Sequence, residues 1–212
     1  MHLKRTLLKL ALRRHVLIDV PRSPYIFLTF DDGPNPHSTP RVLEVLARHS
    51  VKATFFMIGR EMRAHPEVAA DVVRHGHLLG NHTLTHPRMD RIADVARALE
   101  IDATDELLGQ LDGKARHLFR PPYGHMSPSL LSFCVRHGGD ALAYWSRDSM
   151  DYTWSAAQVI QGFLSSPPRP GDILLFHEEG DVAVEALERL IPEWKTQGFQ
   201  FATLDEARAS AA

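Results

Sequence analysis

The chain has 212 residues, 44% hydrophobic and 24% charged, with a formal net charge of −2. This fits one globular domain with a full-sized core, and a single-domain α/β barrel is within reach of the length. Balanced charge excludes binding to nucleic acid through a basic excess and excludes an acidic disordered block. The lone cysteine, Cys134, excludes an intramolecular disulfide; it stands in an apolar helical run and reads as packing.

Residues 3–12 are apolar but interrupted by Lys4, Arg5 and Lys9, then stopped by Arg13 and Arg14. The run is too short to span a bilayer. It lacks the clean apolar stretch and small-residue cleavage site of a signal peptide. The expectation is a basic amphipathic segment over 1–20, ahead of a domain over 21–212. Residues 1–14 would pack on that domain or touch an anionic membrane surface. That implies a cytoplasmic protein, with the inner face of the membrane as the surface open to it.

In chain order, residues 25–30 are β-branched and aromatic, read as a buried strand, and run into Asp31-Asp32-Gly33-Pro34. Ser38 or Thr39 would cap a helix with Pro40 in its first turn. A second buried strand covers 51–58, and a helix over 61–75 is bent or restarted at Pro66. A short strand over 77–80 precedes a loop over 81–87, and a helix over 90–108 carries Ile92, Val95, Ala96 and Leu99 on one face. A strand over 117–119 enters Arg120-Pro121-Pro122-Tyr123-Gly124, and Ser127 caps a helix to about 137. A strand over 141–145, a polar loop over 146–151 and a helix from Ser155 follow. Beyond the turn at 167–171 come a buried strand (172–177), a helix (182–195), a strand (199–203) and a final helix (204–209).

Alternating strands and helices mean a parallel sheet, open or closed into a barrel. The unusual polar residues sit just past strand ends: Asp31 and Asp32, His82 and His86, Arg120 and Tyr123, Asp148 and Asp151, and His177. In a parallel barrel those ends share one rim, which carries the active site.

Successive strand side chains face opposite ways, so Asp31 and Asp32 can do different work on two sides of a site, although Asp-Gly-Pro is also good turn chemistry. His82 and His86 are four apart, but Pro87 biases His86 away from the helical region. No Glu follows His82, which excludes the zinc-peptidase pattern. Two histidines and a carboxylate make a reasonable catalytic zinc set with a position left for water, although two of 13 histidines can also fall together by chance. Pro121-Pro122 stiffens the backbone leading to the Tyr123 N–H, a candidate oxyanion donor; a packed surface turn is the plainer alternative. Asp148 and Asp151 read alone as solvated loop acids, and His177 as a rim histidine. His117 and the remaining histidines, in helical or exposed contexts, are assigned nothing.

Five segments in order resemble the polysaccharide deacetylase family, also called the NodB-homology domain or carbohydrate esterase family four. They are Thr29-Phe30-Asp31-Asp32-Gly33-Pro34, His82-Thr83-Leu84-Thr85-His86-Pro87, Arg120-Pro121-Pro122-Tyr123-Gly124, the stretch from Trp145 to Tyr152, and Leu175-Phe176-His177. The fourth ends in Tyr152 where the family usually has tryptophan, which touches the shape of the groove and not the chemistry. The resemblance implies a distorted (β/α)7 barrel and a hydrolase that removes acetyl from an N-acetylated amino sugar in a poly-, oligo- or lipid-linked saccharide. It implies Asp31 as general base; Asp32, His82 and His86 as ligands of a divalent metal, with zinc expected; and His177 as general acid. Arg120 would pair with Asp31, Asp148 would orient Arg120, and the Tyr123 backbone would stabilise the oxyanion. Leu175, Trp145 and Tyr152 would line the substrate pocket. A deformylase or other amide hydrolase on the same barrel, and a sugar-binding protein without activity, are the alternatives.

Overall fold

The computed structural model describes residues 16–21, 23–137 and 142–209. Its centre is β2 (Tyr25–Asp31), after β1 (Val16–Leu17). Strand β2 pairs in parallel with β3 (Thr54–Met57) on one side and β7 (Ile173–His177) on the other, and near its start with β8 (Gln200–Phe201). Burial on both faces explains why it reads as a continuous apolar run. The sheet order is β4 (Leu78–Asn81), β3, β2, β7, β6 (Arg147–Asp148). Past β4 the arc thins. Phe119 bridges Asn81 on one side and Leu142 on the other, and β1 pairs with β5 (Leu142–Ala143).

Residues 142–148 close the circle. Ala143 N–H donates to the Phe119 carbonyl (2.8 Å), and Ser146 N–H donates to the Ile173 carbonyl (3.0 Å). The fold is the expected distorted α/β barrel, and the distortion lies where two-residue strands and single bridges replace long ladders. Period-two alternation sorts the side chains. Ile26, Leu28 and Phe30 join Leu174 and Phe176 in the layer under the helices, while Phe27, Phe56 and Ile173 point inside. That layer is covered by α1 (Ser38–Arg48), α6 (Ala156–Ser165) and α7 (Asp181–Thr196), whose Trp194 meets Phe163 edge-on at 5.3 Å. Helix α6 starts with a capping box between Ser155 and Gln158. Pro66 does restart a helix, dividing α2 (Gly59–Ala64) from α3 (Pro66–Arg74).

Four expectations are corrected. Helix α4 (Asp94–Asp112) buries Arg97, Ile101, Thr104, Asp105 and Leu108, whereas Val95 and Leu99 are 75% and 67% exposed. Ile92, used to phase the apolar face, is extended and lies before the helix, and the true inner face is partly polar because its side chains are hydrogen-bonded. Ser38 and Thr39 do not cap α1. Asn35 Oδ1 accepts the His37 and Ser38 N–H groups (2.9 and 3.2 Å), while the Ser38 and Thr39 hydroxyls donate to the Glu178 carbonyl and carboxylate. Residues 16–20, grouped above with the N-terminal segment, are tied into the barrel through β1 and through Val20 N–H to the Gly171 carbonyl (2.8 Å). His117 is fully buried at its side chain, not exposed or helical. Ser127 caps α5 (Pro128–His137) as expected, accepting the Leu130 N–H at 3.1 Å. The basic residues 1–15 lie outside the described residues. Among the described residues no helix is long and apolar enough to cross a membrane.

Candidate metal centre and active site

Asp31 ends β2, His177 ends β7, and the two are register partners. The inward alternation of β2 that takes Thr29 inside also takes Asp31 there, and Asp31 is 4% exposed. Arg120, just past the Phe119 bridge, also turns inside and is fully buried, its guanidinium 4.0 Å from the Phe56 ring centre. Every arm of it is used. Nη1 donates to Asp31 Oδ1 (2.7 Å) and Thr29 Oγ1 (2.9 Å), Nε to the Ala143 carbonyl (3.0 Å) and Nη2 to the Tyr144 carbonyl (2.9 Å). A buried guanidinium held this way fixes one oxygen of Asp31 and leaves the other free.

At Asp32 the chain turns to φ 71°, and its side chain meets the loop after β4. Asp32 Oδ1 lies 3.4 Å from His82 Nε2 and 3.1 Å from His86 Nε2. One ligand atom from each of the three residues falls within 4.8 Å of the others. His82 Nδ1 sits 2.8 Å from the Arg120 carbonyl. A carbonyl only accepts, so Nδ1 carries the proton and Nε2 presents its lone pair toward Asp32. Asp32 Oδ1 is buried without a hydrogen-bond partner, an arrangement that favours a cation. Burial alone would push the Asp32 carboxyl up, but the imidazoles of His82 and His86 close beside it hold it well below the usual carboxylate range. Burial would lower the His82 imidazole, yet Asp31, Asp32 and the Arg120 carbonyl together raise it. A carboxylate and two imidazoles with room for a further ligand fit a divalent ion of the zinc type.

On the opposite flank His177 Nδ1 lies 2.7 Å from Asp151 Oδ1, and the His177 N–H donates to Asp151 Oδ2 at 2.8 Å. Burial disfavours the charged imidazole, but Asp151, then Asp31 and Asp32, push His177 up to about 9. Asp151 was visible in the sequence as a strand-end acid, but nothing there named its partner. Asp148 does not do the work expected of it. Its Oδ1 accepts the Met150 N–H at 2.8 Å, folding the carboxylate back on its own loop, and Arg120 is served by other groups. Burial raises the Asp148 carboxyl.

The Tyr152 ring stands edge-on to His177 at 5.0 Å, and the Tyr123 ring lies 4.6 Å from His86; both tyrosines are more than half exposed. Leu175 is buried in β7, and Trp145 is half-buried against Gly124. A cleft of about 200 Å³ opens beside Asp32 and His86, walled by Asn35, Ile58, Arg60, Glu61 and Glu179. Sequence reasoning passed over Glu178. It is fully buried, bonded through Thr39, and packed so closely on Gly33 that a Cβ there would overlap its carboxylate. Burial pushes Glu178 up to about 8. The one signal it offered was a charge immediately after a buried strand.

Fold and site together define an α/β-barrel protein with a carboxylate and two histidines placed to hold a metal ion, flanked by a buried carboxylate–arginine pair and a histidine–carboxylate pair. The polysaccharide deacetylase family model matches residues 19–141, and the chain belongs to that family. It is 36% identical over 207 residues to a chitooligosaccharide deacetylase of Sinorhizobium fredii, covering 88% of this chain and 95% of that protein. It is 34% identical over 183 residues to a peptidoglycan-N-acetylglucosamine deacetylase of Bacillus cereus, covering 84% of this chain and 66% of that longer protein. The crystal structure of the Bc1960 peptidoglycan N-acetylglucosamine deacetylase superposes with a TM-score of 0.88 at 32% identity, over 94% of this chain and 95% of that one. A pseudoenzyme of the same carbohydrate esterase family from Bacillus anthracis shares the fold at a TM-score of 0.84 and 24% identity, over 92% of this chain and 69% of that one. Fold alone therefore does not establish chemistry.

Proposed function

We propose that this protein hydrolyses the N-acetyl group of an N-acetylated amino sugar in a poly-, oligo- or lipid-linked saccharide, releasing acetate and a free amine. The observation that carries the reading is the convergence, on one rim, of Asp32, His82 and His86 with the Asp31–Arg120 and Asp151–His177 pairs. Asp32, His82 and His86 would hold a divalent cation, with zinc the expected ion, which when bound polarises the amide carbonyl and acidifies water. Asp31 supplies the base. Arg120 occupies Oδ1, and Oδ2, 3.8 Å from His82 Nε2, is the oxygen left to take a proton from the attacking water. His177 supplies the acid. Asp151 holds Nδ1, so Nε2 carries the proton that passes to the leaving amine nitrogen. Water thus divides between acetate and amine. The Tyr123 backbone N–H serves the developing oxyanion, and the exposed faces of Tyr123 and Tyr152 receive sugar rings on either flank. Trp145 and Leu175 shape the floor beneath them.

A sugar-binding protein needs neither a base nor an acid, and here both stand oriented by partners. The test is acetate release, with formate measured alongside, from zinc-loaded protein on a panel of N-acylated glycans and glycolipids. Acetate is expected; formate alone would favour a deformylase. Asp31→Ala should keep the metal and lose about 10²–10⁴-fold in kcat, whereas His82→Ala should lose metal and turnover together. Normal turnover by Asp31→Ala, or inertness of the wild type on the whole panel, would refute the assignment.

A further inference from the structure

We infer that Asp105, acting through Asn81, positions the metal-binding loop, and that His117 and Asp112 hold Asp105 in place; this rests on the metal-centre reading above. The loop needs holding. Thr83 and His86 have φ of 71° and 62°, a region that non-glycine residues enter seldom and at a cost. Both are tied down. Asn81 Oδ1 accepts the Thr83 N–H (2.9 Å), and Thr83 Oγ1 accepts the His86 N–H (3.0 Å).

An amide side chain can be turned end for end, and turned wrongly Asn81 would set its NH2 against the Thr83 N–H. Asp105 decides the orientation. A carboxylate offers only acceptors, and Asp105 Oδ1 takes Asn81 Nδ2 at 2.9 Å, with the Ile101 carbonyl as a second acceptor at 2.9 Å. The same Oδ1 lies 3.0 Å from His117 Nδ1, and His117 Nε2 lies 3.1 Å from Asp112 Oδ1. Arg116 meets the other oxygen, Oδ2, at 3.3 Å from the solvent side. An unbroken chain of hydrogen bonds thus runs from the end of α4 to the peptide between the two histidine ligands. Asp105 is a positioning residue, since it bonds to none of the proposed ligands, base or acid.

The test uses the full chain, stripped of metal and titrated with Zn²⁺ against a chromophoric chelator. The Co²⁺ absorption spectrum and the melting of the metal-free protein are read in parallel. Asp105→Ala should bind Zn²⁺ about 10–100-fold more weakly and alter the Co²⁺ spectrum. Asp105→Asn, whose Oδ1 still accepts from both neighbours, should stay within about threefold of wild type. Arg116→Ala, which cuts only the outer contact, should bind as wild type does. Wild-type affinity in folded Asp105→Ala would overturn the inference, and so would equal losses in all three variants. Should Asp105→Ala not fold, Asn81→Asp keeps the Thr83 acceptor and loses the donor to Asp105; a loss of about tenfold or more supports the chain, and unchanged affinity overturns it. A wild type that takes up neither ion would overturn the metal-centre reading and this inference with it, whereas a metal-binding wild type with indifferent variants sinks the inference alone.

Discussion

Replacing Asp151 with Asn should move the alkaline limb of activity. Asp151 makes two bonds to His177, at 2.7 Å to the ring and 2.8 Å to the backbone N–H, and its side chain is 3% exposed. The imidazole is raised from an ordinary 6.5 to about 9, a preference for the protonated ring of about 3 kcal/mol. At pH 8 roughly nine-tenths of His177 is then protonated and able to act as an acid. Asparagine removes the charge and the strong acceptor, so burial is opposed only by Asp31 and Asp32 and His177 falls back toward its ordinary 6.5. A fall the whole way to 6.5 would leave a few per cent protonated at pH 8, so kcat/KM should fall by up to about 30-fold there and by less than about twofold at pH 6. Part of the wild-type rise comes from Asp31 and Asp32, so a cation at Asp32 draws the limb down within the interval between 6.5 and about 9. The Asp151 share of the rise is untouched by that cation. Because the folded value is raised, the pair stabilises the fold fully below pH 6.5, and that stability is lost as pH climbs through about 9. The assay is acetate release from pH 6 to 10 in both proteins. A loss equal at every pH, or a limb that stays put, would refute the reasoning.

Two further outcomes follow from the packing around the ligands. Gly33→Ala should drive a methyl into the Glu178 carboxylate and displace Asp32 beside it, weakening Zn²⁺ binding about 10–100-fold. Adding Glu178→Ala should recover about 0.5 kcal/mol or more of that loss, and chelator titration of the wild type, both single variants and the double variant measures it; strict additivity would show that the contact does not matter. Arg120→Met should leave Asp31 buried and unpaired, destabilising the metal-free fold by about 3–5 kcal/mol, read from denaturant melts, and a change under about 1 kcal/mol would mean that the pair contributes little.

Much of the fold was legible because its signals are local. The buried strands at 25–30 and 172–177, the restart at Pro66, the cap at Ser127 and the helix start at Ser155 depend on neighbours a few residues away. The reading failed where burial was polar. Helix α4 buries Arg97, Thr104 and Asp105 and exposes Val95 and Leu99, an arrangement that an apolar count phases wrongly. The same holds for Ser38 and Thr39, whose hydroxyls serve a glutamate some 140 residues away in place of their own helix.

The order of the chain determined that charge would gather at strand ends and that His82 and His86 would lie close together, because strand alternation and turn chemistry are written in short stretches; that Asp32 would join them at one ion came from the family resemblance. Only the closed barrel decided which acid serves which base. Asp31 and His177 come side by side through the register of β2 and β7, Asp151 holds the His177 ring, and Asp148 folds back on its own loop instead of orienting Arg120. Those pairings depend on how distant strands twist and meet, and spacing along a chain carries no measure of that.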